Sequence, residues 1–90
     1  MQERIEKLIE RIYEWKEKDI IISQNGFLRS KYEIENLNYK VKYEILEISS
    51  QNNENYIKIN LNQIYKIDIQ NNEIEISLDN DINIKLILKQ

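Results

Sequence analysis

The apolar residues of this chain change their spacing once, at Asp19, and that change constrains the architecture more than any other feature. Before it, Ile5, Leu8, Ile9, Ile12 and Trp15 follow the i, i+3, i+4, i+7 pattern that lines one stripe of a helix. After it, apolar side chains recur at every second position in short runs, the period of a strand with one buried and one wet face. The pattern predicts an α+β domain, in which an N-terminal amphipathic helix packs on a twisted antiparallel meander of five to six strands. A strongly twisted sheet of that width can curl into a partly open barrel.

The helix is expected over residues 2–18, where Glu3 can pair with Lys7 and Glu14 with Lys18 one turn later. Extended segments are expected at about 19–24, 27–35, 38–48, 56–61, 64–70, 73–78 and 82–88. The alternation also argues for particular turns. A three-residue loop from Gln24 to Gly26, with Gly26 left-handed, would set Ile22 opposite Leu28 and Ile20 opposite Ser30, whereas a two-residue Asn25-Gly26 loop would split the apolar face. In the segment 38–48, Tyr39, Val41, Tyr43 and Ile45 keep one phase before Leu46 and Ile48 take the other, which predicts a bulge near Ile45-Leu46. Ser49 to Asn55 reads as a polar loop. Nearer the C-terminus, an Asn71-Asn72 turn of type I′ pairs Ile69 with Ile74 and Ile67 with Ile76. A three-residue loop, Asp79 to Asp81, then pairs Leu78 with Ile82 and Ile76 with Ile84.

At 90 residues, residues 1–90 fit a single domain, since two cores would each be too small to offset the entropy of ordering the chain. A hydrophobic share of 41% with 32% charged residues is that of a folded domain, with a stability of roughly 5–8 kcal/mol. Ile, Asn, Lys, Glu and Tyr dominate, while Pro, Cys, His, Ala and Thr are missing, a bias that matches the codon usage of an AT-rich bacterium or of a phage or mobile element within one.

Those missing residues exclude chemistry. Without Cys or His there is no disulfide, thiolate nucleophile, Cys-based zinc site or imidazole base. Gly26 is the only glycine, so a glycine-rich phosphate loop cannot form, and Ser49-Ser50 lacks an activating base. No catalytic residue, metal ligand or cofactor is assigned. The charged N-terminus and the absence of a long apolar run predict no signal peptide and no membrane span, hence a cytoplasmic location. A net charge of −3 works against general attraction to nucleic acid, which would need a local basic patch.

Three features remain as candidate contact sites. The predicted registers set Asp68 opposite Glu75 on the wet face, and Glu75 opposite Lys85. With Glu73 these carboxylates form a solvated charge row offset by Lys85 and Lys66, an acidic patch for a partner, or, last in rank, a weak cation or acid–base site. Phe27, Arg29 and Lys31 place an aromatic ring among cations on one strand face, the combination that holds single-stranded nucleic acid, although Glu33 and Glu35 continue that face. Of the six tyrosines, Tyr32, Tyr43 and Tyr65 share phase with buried positions, which leaves Tyr39 and Tyr56, near strand ends, as the interface candidates.

The helix followed by Asp19-Ile20-Ile21-Ile22-Ser23-Gln24-Asn25-Gly26-Phe27-Leu28, and later Tyr56 to Ile67, resembles the Sm/Hfq-like order of a helix and a bent five-stranded sheet. That resemblance implies ring assembly and binding of RNA or nucleotides. The chain departs from it by lacking a glycine within the second strand and by adding a C-terminal hairpin, and no binding residue is carried over.

The function expected first is a small non-enzymatic module that binds a larger protein or protein complex, in its narrowest form a phage-encoded, anti-CRISPR-like inhibitor of a bacterial defence complex. An Sm-like RNA- or nucleotide-binding module is the alternative, and a carboxylate-based enzyme ranks last. Ile21, Ile48, Ile64 and Ile87 fall outside the main apolar phase, which makes a homodimer a further expectation.

Overall fold

The computed structural model describes residues 2–89. One helix, α1 (Glu3–Glu14), precedes eight strands: β1 (Ile20–Asn25), β2 (Ser30–Ile34), β3 (Leu37–Lys42), β4 (Ile45–Ser50), β5 (Tyr56–Asn60), β6 (Ile64–Ile69), β7 (Glu73–Leu78) and β8 (Asn83–Leu88), with a 3₁₀ turn at Leu61–Gln63 between β5 and β6. The strands form two antiparallel sheets, one of five in the order β2-β1-β8-β7-β6 and one of three in the order β3-β4-β5. This is the α+β class expected, but with eight strands rather than five or six, two sheets rather than one meander, and no closed barrel. The single bent sheet implied by the Sm/Hfq resemblance is likewise replaced by two.

A single apolar core lies between the sheets and the helix. Ile5, Leu8, Ile12 and Trp15 enter it from α1; Ile20, Ile22, Ile34, Ile74, Ile76, Ile84 and Leu86 from the five-stranded sheet; Leu37, Leu46, Ile48, Ile57 and Ile59 from the three-stranded one. Among the described residues no polar or charged residue is buried, so the core stands on apolar burial alone. Ile48 and Ile64, expected outside the main phase, are core residues. The exposed apolar pair behind the dimer expectation therefore shrinks to Ile21 and Ile87, cross-strand neighbours on the outer face and half-buried there.

The helix stops four residues earlier than its charge pattern suggests. Trp15 turns into the core, Glu17 adopts φ 69°, and the Glu17 N–H donates to the Leu37 carbonyl (2.8 Å) while the Leu37 N–H donates to the Lys18 carbonyl (2.9 Å). Residues 16–18 are thus held by the start of β3 instead of extending the helix. Along its length α1 leans on β6, where the Arg4 guanidinium donates to the carbonyls of Ile64 (2.9 Å) and Tyr65 (2.6 Å) and Arg11 donates to that of Gln70 (2.6 Å). Arg4 satisfies carbonyls at the start of β6, an edge strand, and Arg11 one in the turn that follows it.

The first hairpin departs from the expected turn. Its register is Ile22 with Tyr32 and Ile20 with Ile34, which leaves Asn25 to Arg29 as a longer loop and begins β2 at Ser30 instead of residue 27. The same face stays inward, since the shift is an even number of residues, and the gain is full burial of Ile34 against Ile20. Gly26 has no positive φ; what its position requires is closeness, because a Cβ there would stand 3.0 Å from Ile82 Cγ1. The expected bulge at Ile45-Leu46 is a turn: β3 and β4 are joined by Tyr43 and Glu44 alone, at φ 53° and 64°. The C-terminal registers are as expected, Ile69 with Ile74, Ile67 with Ile76 and Ile76 with Ile84. Asp81, at φ 64°, carries the left-handed position of its loop, whereas neither Asn71 nor Asn72 has positive φ, so the Asn71-Asn72 turn is not type I′.

The polar loop is built around Ser50. Its Oγ donates to the Glu35 carbonyl (2.6 Å) and accepts from the N–H groups of Glu35, Asn52 and Asn53, and the Asn55 amide reaches across to the Glu33 carbonyl (2.8 Å) on the edge of β2.

Two predictions follow from this packing. Gly26→Ala and Gly26→Asn should both destabilise the domain, by about 1 kcal/mol, because Ile82 must yield to either Cβ; a left-handed glycine would tolerate Asn, and equilibrium urea unfolding separates the two cases. Burial pushes the Tyr32 phenol up from its ordinary pKa, and the hydrogen bond to Glu33 raises that of Lys89. Both groups hold protons more tightly folded than unfolded, so their stabilisation is present below their unfolded values and lost as pH rises above them. The urea midpoint should fall above about pH 10, and Tyr32→Phe should remove part of that fall.

Candidate functional site

Each sheet turns one face to the core and one to solvent, and the outward faces carry the charged groups. On the five-stranded sheet, cross-strand pairing lines up Lys31, Ser23, Lys85, Glu75 and Asp68 in one row, with Glu33, Ile21, Ile87 and Glu73 in the next. Asp68 stands opposite Glu75 and Glu75 opposite Lys85, as the isoleucine phase requires. Asp68 is exposed, whereas Glu73 and Glu75 are half-buried. The Asn83 amide donates to Glu75 Oε2 at 2.8 Å and lies 3.2 Å from Ser77 Oγ, and the Gln70 amide is 3.4 Å from Asp68 Oδ2. The dimple among Lys66, Asp68, Glu75 and Ser77 holds about 50 Å³, and no group of three acidic ligands converges among the described residues. This row is a patterned, shallow surface.

The three-stranded sheet presents a different face. Lys40, Glu47 and Lys58 form its central row, Lys42, Ile45 and Asn60 the row at one end, and Asn38, Ser49 and Tyr56 the row at the other. Glu47 lies between two lysines, at 3.4 Å from Lys40 Nζ and 3.7 Å from Lys58 Nζ, so two cations flank one anion. These bonds are exposed and contribute little to stability. Lys42 Nζ sits 5.4 Å from the centre of the Tyr43 ring, a cation–π contact at the rim of an open depression of about 440 Å³. Tyr43 is 86% exposed and Tyr56 59% exposed, one at each end of the same surface.

The residues singled out from the sequence fall in four places. Asp68, Glu73 and Glu75 share the five-stranded outer face. Phe27, 97% exposed, and Arg29 lie in the β1–β2 loop and not on a strand, so they do not continue a face with Lys31. Tyr56 belongs to the lysine-rich face. Tyr39, in contrast, is half-buried against the core on the opposite side of its sheet, where it lines a recess beside Ile9, Glu10, Tyr13 and Glu14. Tyr43 and Tyr65, expected near buried positions, are exposed, the first because it is a turn residue and the second because the β6–β7 register is irregular at that point. Sequence reasoning missed Lys40, Lys42, Tyr43, Glu47 and Lys58 as a group. The signal was the phase slip after Ile45: read as a turn at Tyr43-Glu44, it pairs Lys40 with Glu47 directly.

Comparison with protein-family models, curated proteins and solved structures finds no match, so the functional reading rests on the geometry of the chain itself. Among the described residues, no helix is long and apolar enough to cross a membrane.

Two carboxylates directly opposite each other should cost a little stability. Replacing Asp68 with Lys, which completes an alternating row with Glu75 and Lys85, should raise the urea midpoint by the equivalent of about 0.2–1 kcal/mol, whereas Lys85→Glu should lower it.

Proposed function

We propose that this chain is a non-enzymatic protein-binding module whose contact surface is the outer face of the three-stranded sheet. The observation that carries this reading is Tyr43. It occupies a left-handed backbone position that suits Asn or Gly, followed by Glu44 in the same conformation, and it projects almost fully into solvent. Each such residue costs on the order of 1 kcal/mol, and nothing in the core recovers it. A tyrosine held there at the expense of stability is explained by what it touches outside the molecule. Tyr56 supplies a second aromatic anchor at the far end of the face, and Lys40, Lys42 and Lys58 between them favour a partner surface rich in Asp and Glu.

The narrower reading, a phage-encoded inhibitor of a bacterial defence complex, draws on size and composition and gains no support from the fold. The second reading, single-stranded nucleic acid, is favoured by the combination of exposed tyrosines with three lysines on one sheet. Three phosphate contacts would give a log–log salt dependence of only about −2.

Binding and folding can be separated at the turn. The double variant Tyr43→Asn/Glu44→Gly should stabilise the domain by about 1–2 kcal/mol, because Asn-Gly suits a two-residue hairpin, yet weaken a stoichiometric complex purified from native cells by about tenfold or more. Tyr56→Ala should weaken it comparably with little change in melting temperature. If both variants bind as the parent does while Asp68→Lys or Glu75→Lys abolishes the complex, the contact surface is the five-stranded face and this assignment is wrong. Salt-sensitive binding of an oligonucleotide, lost with Lys40→Glu, would transfer the conclusion to nucleic acid.

A further inference from the structure

A strand at the edge of a sheet leaves every second residue's N–H and C=O without a ladder partner, and in this fold some of those groups are covered by the chain's own side chains. Arg4 covers the carbonyls of Ile64 and Tyr65 at the start of β6, the amides of Asn53 and Asn55 cover the Glu33 carbonyl on β2, and the Tyr32 hydroxyl reaches the Tyr56 carbonyl at the start of β5. Among the described residues, the edge of β3 carries no side-chain cover and runs beside two recesses. Its first outward rung, Leu37, is bonded to the main chain of Glu17 and Lys18. By the two-residue repeat of a strand, Tyr39 and Val41 point their N–H and C=O groups the same way, and the two-residue turn at Tyr43-Glu44 gives the same assignment, since it makes Lys42 and Ile45 the paired rung. No hydrogen bond to these outward groups exists among the described residues.

Both open rungs adjoin recesses between β3 and α1. Tyr39 lines one of about 500 Å³ with Ile9, Tyr13 and the carboxylates of Glu10 and Glu14. Val41 lines another of about 450 Å³ with Ile5, Leu61 and Ile64 and with the polar side chains of Arg4, Glu44 and Asn62. An unpaired edge running beside partly apolar recesses is an arrangement that takes up an extended peptide, main chain on the edge and alternate side chains in the recesses. The occupant is not a second copy of β3. The antiparallel self-pairing that bonds Tyr39 of one copy to Val41 of the other sets Lys40 directly opposite Lys40, and like charges directly opposed are unfavourable.

We propose that the β3 edge binds an extended segment of a partner protein as an added strand, with alternate apolar side chains of that segment seated between β3 and α1 and a lysine or arginine against Glu10. This deepens the protein-binding reading by naming the form of the partner's contact, but it uses a different surface from the Tyr43–Tyr56 face.

The test is selection of a displayed library of random short peptides on the intact protein, followed by backbone amide exchange with the best synthetic peptide. Enriched peptides should alternate apolar residues and carry a basic one, and their binding should slow exchange at Tyr39 and Val41 while Lys40 and Lys42, already paired to β4, change little. Val41→Pro removes an outward N–H without touching the β4 ladder, a position where an edge strand accepts proline, and should weaken binding about tenfold or more. Glu10→Lys, on an exposed helix position that tolerates the change, should weaken basic peptides about threefold or more. Exchange in the wild-type protein keeps the test decisive should the proline variant misfold. Failure to enrich any peptide, or protection that maps to the Tyr43–Tyr56 face, would overturn the edge assignment; in the second case the protein-binding reading survives. Peptide binding at the edge that is unchanged by Tyr56→Ala would uphold the edge independently of that face.

Discussion

The antiparallel pairing of β1 with β8 holds this molecule together. It joins the first strand to the last over the register Ile20–Leu88 to Asn25–Asn83, and without it the chain would consist of a β1–β2 ribbon and a separate β6–β7–β8 sheet. A two-stranded ribbon has too little apolar area to stand alone. Joined, the strands carry Ile22 and Leu86 side by side into the core and form a surface wide enough to be covered by a helix at one end and a second sheet at the other. Closure between chain ends is also the most non-local contact available here, so its loop entropy must be met before its reward, and it should form late in folding.

That pairing explains what could and could not be read from the residues. Periodicity tells which side of a strand is buried and is silent about which strand lies alongside. The isoleucine phase therefore correctly placed Ile67, Ile76 and Ile84 inside and Asp68 and Glu75 outside, and short turns let the β6–β7–β8 registers be counted. The β1–β8 contact left no local mark. Other misreadings came from residues whose conformation defies their type. Tyr43 and Glu44 make a tight turn without Gly or Asn, so a hairpin resembled one bulged strand. Trp15 is buried as the helical stripe predicts, although the helix itself ends one residue before it. Gly26 invites a left-handed turn and is instead needed for its missing Cβ.

The candidate site was the less legible part because it depends on the element that was misread. With β3 and β4 taken as one strand, Lys40 and Lys42 had no neighbours, and the Lys40–Glu47–Lys58 row did not exist. The acidic row, built on correctly counted turns, was visible from the start and remains a shallow, partly compensated surface. The turn matters in another way. Backbone strain in an otherwise regular domain has to be maintained by the packing on either side, and Val41–Leu46 and Lys42–Ile45 pairing supplies it. A fixed backbone under Tyr43 limits the ordering cost of any contact there to the side chain itself.

The treatment of sheet edges points in the same direction. A chain composed so largely of β-formers must prevent strands of neighbouring molecules from joining, and here the means differ from edge to edge. On β6 and β2 side chains occupy some of the edge carbonyls, which blocks pairing there for any partner. On β3 the groups of Tyr39 and Val41 stay open and the protection against self-pairing is electrostatic, through Lys40 on the strand itself. Occupation by side chains cannot discriminate between partners, whereas charge can: it repels another β3 and leaves an extended acceptor of different composition free to pair. The same lysines that flank the edge also furnish the outer face beside it, which sets the boundary between the two surfaces.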